Sequence, residues 1–89
     1  MSHPSENIVL VDVRDSDEFA RDHLDGAHNI PLKELEEQLP RFVSDKKTPV
    51  AFYCQGGMRA GRALEKARHM GYENAQNLGG IDQAREQLG

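Results

Sequence analysis

The 89 residues carry 37% hydrophobic and 29% charged side chains and a net charge of -4, the composition of an ordinary globular chain rather than a disordered one. Eleven basic against 15 acidic residues argue against nucleic acid or an anionic membrane surface as a partner, and no apolar run approaches the roughly 20 residues that span a bilayer. Cys54, the single cysteine, excludes an internal disulfide, a CxxC redox pair and a cysteine-based zinc site.

No repeat or low-complexity tract divides the chain, so one domain over residues 1–89 is expected. The opening MSHPSENIVLVDVR has no basic n-region or small-residue cleavage site, and Asp12 interrupts its apolar run. A cytoplasmic protein is expected, or a periplasmic one if a leader has been removed.

Residues Ile8 to Val13 form a nearly continuous apolar run that suits a strand buried on both faces of a parallel sheet. Asp15 with Glu18 three residues later resembles a capping box, and Phe19 and Ala20 begin the apolar side of a short helix over residues 16–22. GAHNIPL reads as a brief strand closed by Pro31; Leu32, Leu35 and Leu39 then recur at helical spacing until Pro40, which is expected to stop that helix.

After the polar SDKKTP loop, Val50 to Cys54 supply a second buried strand. From Arg59 onward Ala60, Ala63, Leu64, Ala67 and Met70 line one side of a helix that Gly71 ends. Tyr72 to Leu78 contain a third short strand, Gly79-Gly80 a turn, and Ile81, Ala84 and Leu88 mark a closing helix. Strands alternating with helices predict a parallel sheet covered on both sides.

In such a sheet ligands bind beyond the carboxyl ends of the strands, and there the run FYCQGGMRAG places the thiol. A lone cysteine ending an apolar strand is by itself an inert buried residue more often than a nucleophile. Its neighbours change the reading. Gly56 and Gly57 permit a tight turn whose consecutive N–H groups face inward, and the helix that follows adds the positive end of its dipole. A loop of this kind favours a thiolate, which is the reactive form.

With these residues in hand, the chain resembles a rhodanese-like domain, most closely the small single-domain sulfurtransferases. Four ordered pieces carry the resemblance: VDVRDSDEF, DHLDGAHNIPL, FYCQGGMRAGRA and GYENAQNLGGI. It implies a three-layer α/β fold, with helices on both faces of a mainly parallel central sheet. It also implies thiosulfate sulfurtransferase activity: Cys54 takes the sulfane sulfur of a small anionic donor such as thiosulfate, becomes a persulfide, and passes the sulfur to cyanide or a thiol acceptor. Cys54 is then the catalytic residue, and Gln55, Gly56, Gly57, Met58 and Arg59 form the substrate-binding cradle, with neither metal nor organic cofactor.

Three departures from the family pattern stand out. Gln55 and Met58 occupy loop positions where relatives often carry basic residues, which implies either weaker attraction for the donor or a preferred donor less charged than thiosulfate. Ala60 replaces a frequent serine. The strand and helix that usually precede VDVR have no counterpart here, so a minimal version of the fold is expected, with an open sheet edge that favours weak self-association.

Two other function classes stay open. A cysteine phosphatase or arsenate reductase needs five residues between cysteine and arginine, whereas four separate Cys54 from Arg59. A non-catalytic binding module keeps the fold without using the thiol. Elsewhere Asp12 and Arg14 are expected to hold loops together, and His3, His23, His28 and His69 to serve turns and surfaces, since they lack metal-ligand spacing. The acidic run Glu34, Glu36 and Glu37 reads as a solvated helix face.

Overall fold

The structure, a computed structural model, describes residues 8–89; the expectation for His3 lies outside them. Four strands, β1 (Val9–Asp12), β2 (His28–Asn29), β3 (Val50–Cys54) and β4 (Ala75–Gly80), alternate with helices α1 (Ser16–Arg21), α2 (Leu35–Phe42), α3 (Met58–His69) and α4 (Ile81–Leu88). A 3-10 turn over Leu32–Glu34 leads into α2. The strands form one parallel sheet in the order β2-β1-β3-β4, so Asp12, Asn29, Cys54 and Gly80 end side by side at one edge. No helix among the described residues is long and apolar enough to cross a membrane.

The central strand β3 shows how the sequence makes two cores. Its five residues VAFYC are all buried, and their alternation sends Val50, Phe52 and Cys54 to one face and Ala51 and Tyr53 to the other. The first face meets Leu35 and Leu39 of α2 and the alanine stripe Ala60, Ala63 and Ala67 of α3. The second meets Leu78, Ile81 and Ala84. Helices therefore cover both sides of the sheet.

Several expectations need correction. Pro40 does not stop α2, which runs on to Phe42. A proline there removes only its own bond to the carbonyl four residues back, while buried Leu35, Leu39 and Val43 hold the chain on course and the Val43 N–H still reaches the Leu39 carbonyl at 2.8 Å. α1 buries none of its residues; Phe19 instead stacks on the His23 ring, centroids 3.8 Å apart. Gly79-Gly80 is not a turn but the end of β4, and α4 follows at once. α3 begins at Met58, one residue before Arg59, because Gly57 at φ 104° turns the chain directly into the helix.

Candidate active site

From β1 the chain passes to β2 on one side, while β3 and β4 lie on the other. The carboxyl edge between β1 and β3 is thus the place where such sheets open a crevice. β3 delivers Cys54 to this edge, and only three residues, Gln55 to Gly57, separate it from α3. The thiol is 1% exposed. Its Sγ accepts two backbone hydrogen bonds, from the Gly57 N–H at 2.9 Å and the Ala60 N–H at 3.4 Å. The turn thus folds the first turn of α3 back over the sulfur, which places amide donors and the helix dipole where negative charge would reside.

Of the five predicted cradle residues, Gly57 donates to Sγ through its amide. Gln55 and Gly56 are exposed at the crest of the loop, and Met58 stands 77% exposed beside it. The Arg59 side chain turns toward α1, where Nη1 and Nη2 meet Glu18 Oε1 and Oε2 at 2.7 and 3.1 Å. This bidentate pair holds the Glu18 carboxyl well down, to about 2, chiefly through the hydrogen bonds from Arg59. Arg59 is raised in turn, first by the same contact.

Under the loop lies a buried polar frame. Asp12 and Arg14 are 0% and 3% exposed; Arg14 Nε and Nη2 donate to the Asp12 carboxylate at 3.0 and 2.7 Å. The expected structural pair is present, and it reaches further. Arg14 Nη1 donates to Gln55 Oε1 at 3.3 Å, and Nη2 also donates to the Asp22 carbonyl, so one guanidinium ties the end of β1 to the thiol loop and to the end of α1. Asp12 raises the Arg14 pKa above its ordinary value, first by hydrogen bonding. Tyr53, pushed up to about 12 by burial, accepts the Leu24 N–H with its hydroxyl at 3.0 Å and fixes the segment before β2.

Four further residues shape the site without a local pattern to mark them. Ala60 contributes its backbone amide, which no side chain announces. Glu18 fits its capping role, accepting the Asp15 N–H at 3.1 Å, but its main partner lies 41 positions away. Gly79 and Gly80 form a flat shelf under the loop: a Cβ on Gly57 would stand 3.4 Å from Gly79 Cα, and one on Gly80 only 2.5 Å from the Gln55 carbonyl oxygen. His23 and His28 remain peripheral, His23 Nδ1 lying 2.7 Å from the Phe19 carbonyl and His28 against Phe42. Among the described residues no group of three or more His, Cys, Asp or Glu side chains is arranged to hold a metal.

The Rhodanese-like domain family model matches residues 2–87. Thiosulfate sulfurtransferase PspE of Escherichia coli (strain K12) is 41% identical over 71 residues, covering 80% of this chain and 68% of that protein. A tRNA uridine(34) hydroxylase of Erwinia tasmaniensis is 40% identical over 78 residues, covering 82% of this chain but 22% of its own length. Among solved structures, a rhodanese with anions from E. coli superposes with a TM-score of 0.83 at 38% identity, covering 85% of this chain and 89% of that one. A family match across nearly the whole chain, a relative 41% identical and a solved structure that superposes on most of it agree: the chain belongs to the rhodanese-like domain family.

Proposed function

We propose that residues 1–89 form one rhodanese-like domain that transfers sulfane sulfur through a persulfide on Cys54. The observation that carries this reading is the pair of backbone donors, Gly57 N–H at 2.9 Å and Ala60 N–H at 3.4 Å, aimed at Sγ beside the start of a helix. Fixed dipoles of this kind stabilise a thiolate and then the negative charge of the terminal persulfide sulfur without reorganising during reaction. Relatives named for thiosulfate sulfurtransferase activity, and a solved relative described with anions, support it.

In the reaction, the Cys54 thiolate attacks the outer sulfur of a donor such as thiosulfate. A new S–S bond forms, the donor's S–S bond breaks, and its electron pair departs on sulfite. A nucleophilic acceptor, cyanide or a thiol, then attacks the terminal sulfur and the Cys54 thiolate returns. The amides of the Gln55 to Arg59 turn serve as the anion cradle, while the Arg59 side chain fastens its far end to Glu18. No proton relay or cofactor enters these steps. A reducing, cytoplasmic setting suits a thiol that must be free at the start of each cycle.

The 1% exposure of Cys54 favours a second reading, a binding module with an inert thiol. Intact-mass measurement separates the two. Incubation with thiosulfate should add the mass of one sulfur atom to the wild type and none to Cys54→Ser, and cyanide should remove it. Failure to load sulfur from any of several donors would leave the binding module. The hydroxylase relative offers no third reading here, since the match covers 22% of that protein.

A further inference from the structure

Both arginines beside the thiol loop are already matched by carboxylates. Arg14 is held by Asp12 and Arg59 by Glu18. A cavity of about 490 Å³ lies further off, around Asp22, His23 and Arg85, but the depression that borders the loop itself, about 370 Å³, is lined by Glu18, Asp22 and Asp82 against Arg14 and Arg21. With Glu18 matched by Arg59 and Arg14 by Asp12, Asp22 and Asp82 against Arg21 leave that lining a formal charge of -1. The loop's exposed side chains Gln55 and Met58 add no cation, and its one arginine, Arg59, is paired. Attraction for an anionic donor therefore rests on backbone amides, which act at short range.

Resting on the sulfurtransferase reading, we propose that Glu18 determines donor specificity at this site: by neutralising Arg59 it leaves the loop mouth without net positive charge, so that singly charged sulfane-sulfur donors are used in preference to doubly charged thiosulfate. Glu18 bonds the Arg59 guanidinium rather than the thiol loop's backbone. It acts through Arg59, which precedes the Ala60 amide on Sγ and whose guanidinium is one-third exposed in the pair. The Glu18 carboxylate is ionised across the physiological range, where even its ordinary pKa of 4.5 would keep it charged, so the neutralisation does not fluctuate with pH.

Two donors that differ by one charge read the potential at the mouth. Thiosulfate is a dianion and methanethiosulfonate a monoanion; in both, the thiolate takes the outer sulfur, the S–S bond breaks, and the pair leaves on sulfite or methanesulfinate. The ratio of kcat/KM for the two reports the local potential, whereas loss of loop order lowers both values together. Glu18→Gln should raise the thiosulfate-to-methanethiosulfonate ratio by about three- to tenfold, the range expected for one unit charge near a partly screened anion. Arg59→Gln should lower the ratio by a similar factor. The charge-balanced double variant should return to within about twofold of wild type, and Glu18→Asp, which keeps the charge with poorer geometry, should also stay near it. The raised ratio of Glu18→Gln should fall back as salt is added. An unmoved ratio in Glu18→Gln, or single variants that shift it in the same direction, would overturn the proposal while leaving sulfur transfer intact. Wild type that loads sulfur from neither donor would overturn both.

Discussion

The backbone of Gly80 lies against the carbonyl of Gln55 so closely that a Cβ at position 80 would stand 2.5 Å from the oxygen. The thiol loop therefore rests on the end of β4, and only glycine leaves room for it. Gly80→Ala must push the loop off this shelf, and the obstacle is backbone rather than a flexible side-chain end. Overpacking of this kind costs about 1–3 kcal/mol, and the displaced Gln55 carries the Gly57 amide with it. Sulfur loading from thiosulfate should slow by about tenfold or more, given how steeply rate depends on placement. Loading at the wild-type rate would show that the loop keeps its geometry without the shelf.

Gly61 offers the opposite case on the same structure. It sits inside α3, and a Cβ there would meet only the Asn77 Nδ2 at 3.6 Å, an ordinary contact. Alanine is better than glycine in a helix interior by about 1 kcal/mol. Gly61→Ala should raise the urea midpoint by an amount corresponding to about 0.5–1 kcal/mol with sulfur loading unchanged. A stability loss would mean that Asn77, which also bonds the Gly57 carbonyl at 3.4 Å, cannot yield.

The contrast between these glycines marks what the sequence could tell. Cys54, the strand before it and the alanine stripe after it were legible because each follows a local pattern: an apolar run, a glycine turn, a helical period. Gly80 reads as a turn residue because its neighbour is also glycine, whereas its real constraint is a backbone 25 positions away. Pro40 misled for a related reason: its local effect is to break helices, but buried Leu39 and Val43 outweigh one lost bond. Asp12 and Arg14 were recognised as a pair, yet the reach of Arg14 to Gln55 depends on β1 lying next to β3. Local patterns are written in neighbouring residues; the Glu18 pair and the glycine shelf are made by chain crossings, and the Ala60 amide reaches the thiol only because the turn folds back over it.

Asp12 and Arg14 form the most demanding polar contact in the protein, since their side chains are 0% and 4% exposed. Removing one charge strands the other in a place where water cannot replace it, at a cost of about 3–5 kcal/mol. Asp12→Asn should lower stability by that order, and Arg14→Met, which also frees Gln55, should slow sulfur loading in whatever fraction remains folded. Replacing both by apolar residues should recover part of the lost stability. Urea unfolding of the three variants checks this; a cost below about 1 kcal/mol for Asp12→Asn would show that water enters the pair.

The Glu18–Arg59 pair is exposed enough for its contribution to be screened, with 26% and 34% of the two side chains accessible, so about 1 kcal/mol is expected from it. Its pH dependence has a fixed sign. Folding lowers the Glu18 pKa from 4.5 to about 2, so the folded state binds the proton less readily than the unfolded state. The stabilisation is complete above about pH 4.5 and is lost as pH falls through about 2. Glu18→Gln has no such proton to bind. The stability gap between wild type and Glu18→Gln should hold steady from neutral pH down to the upper value and then close on further acidification, with the remaining carboxylates cancelling in the difference. Urea midpoints of both proteins across this range measure the gap directly, and a gap that widened on acidification would show that folding raises the Glu18 pKa instead of lowering it.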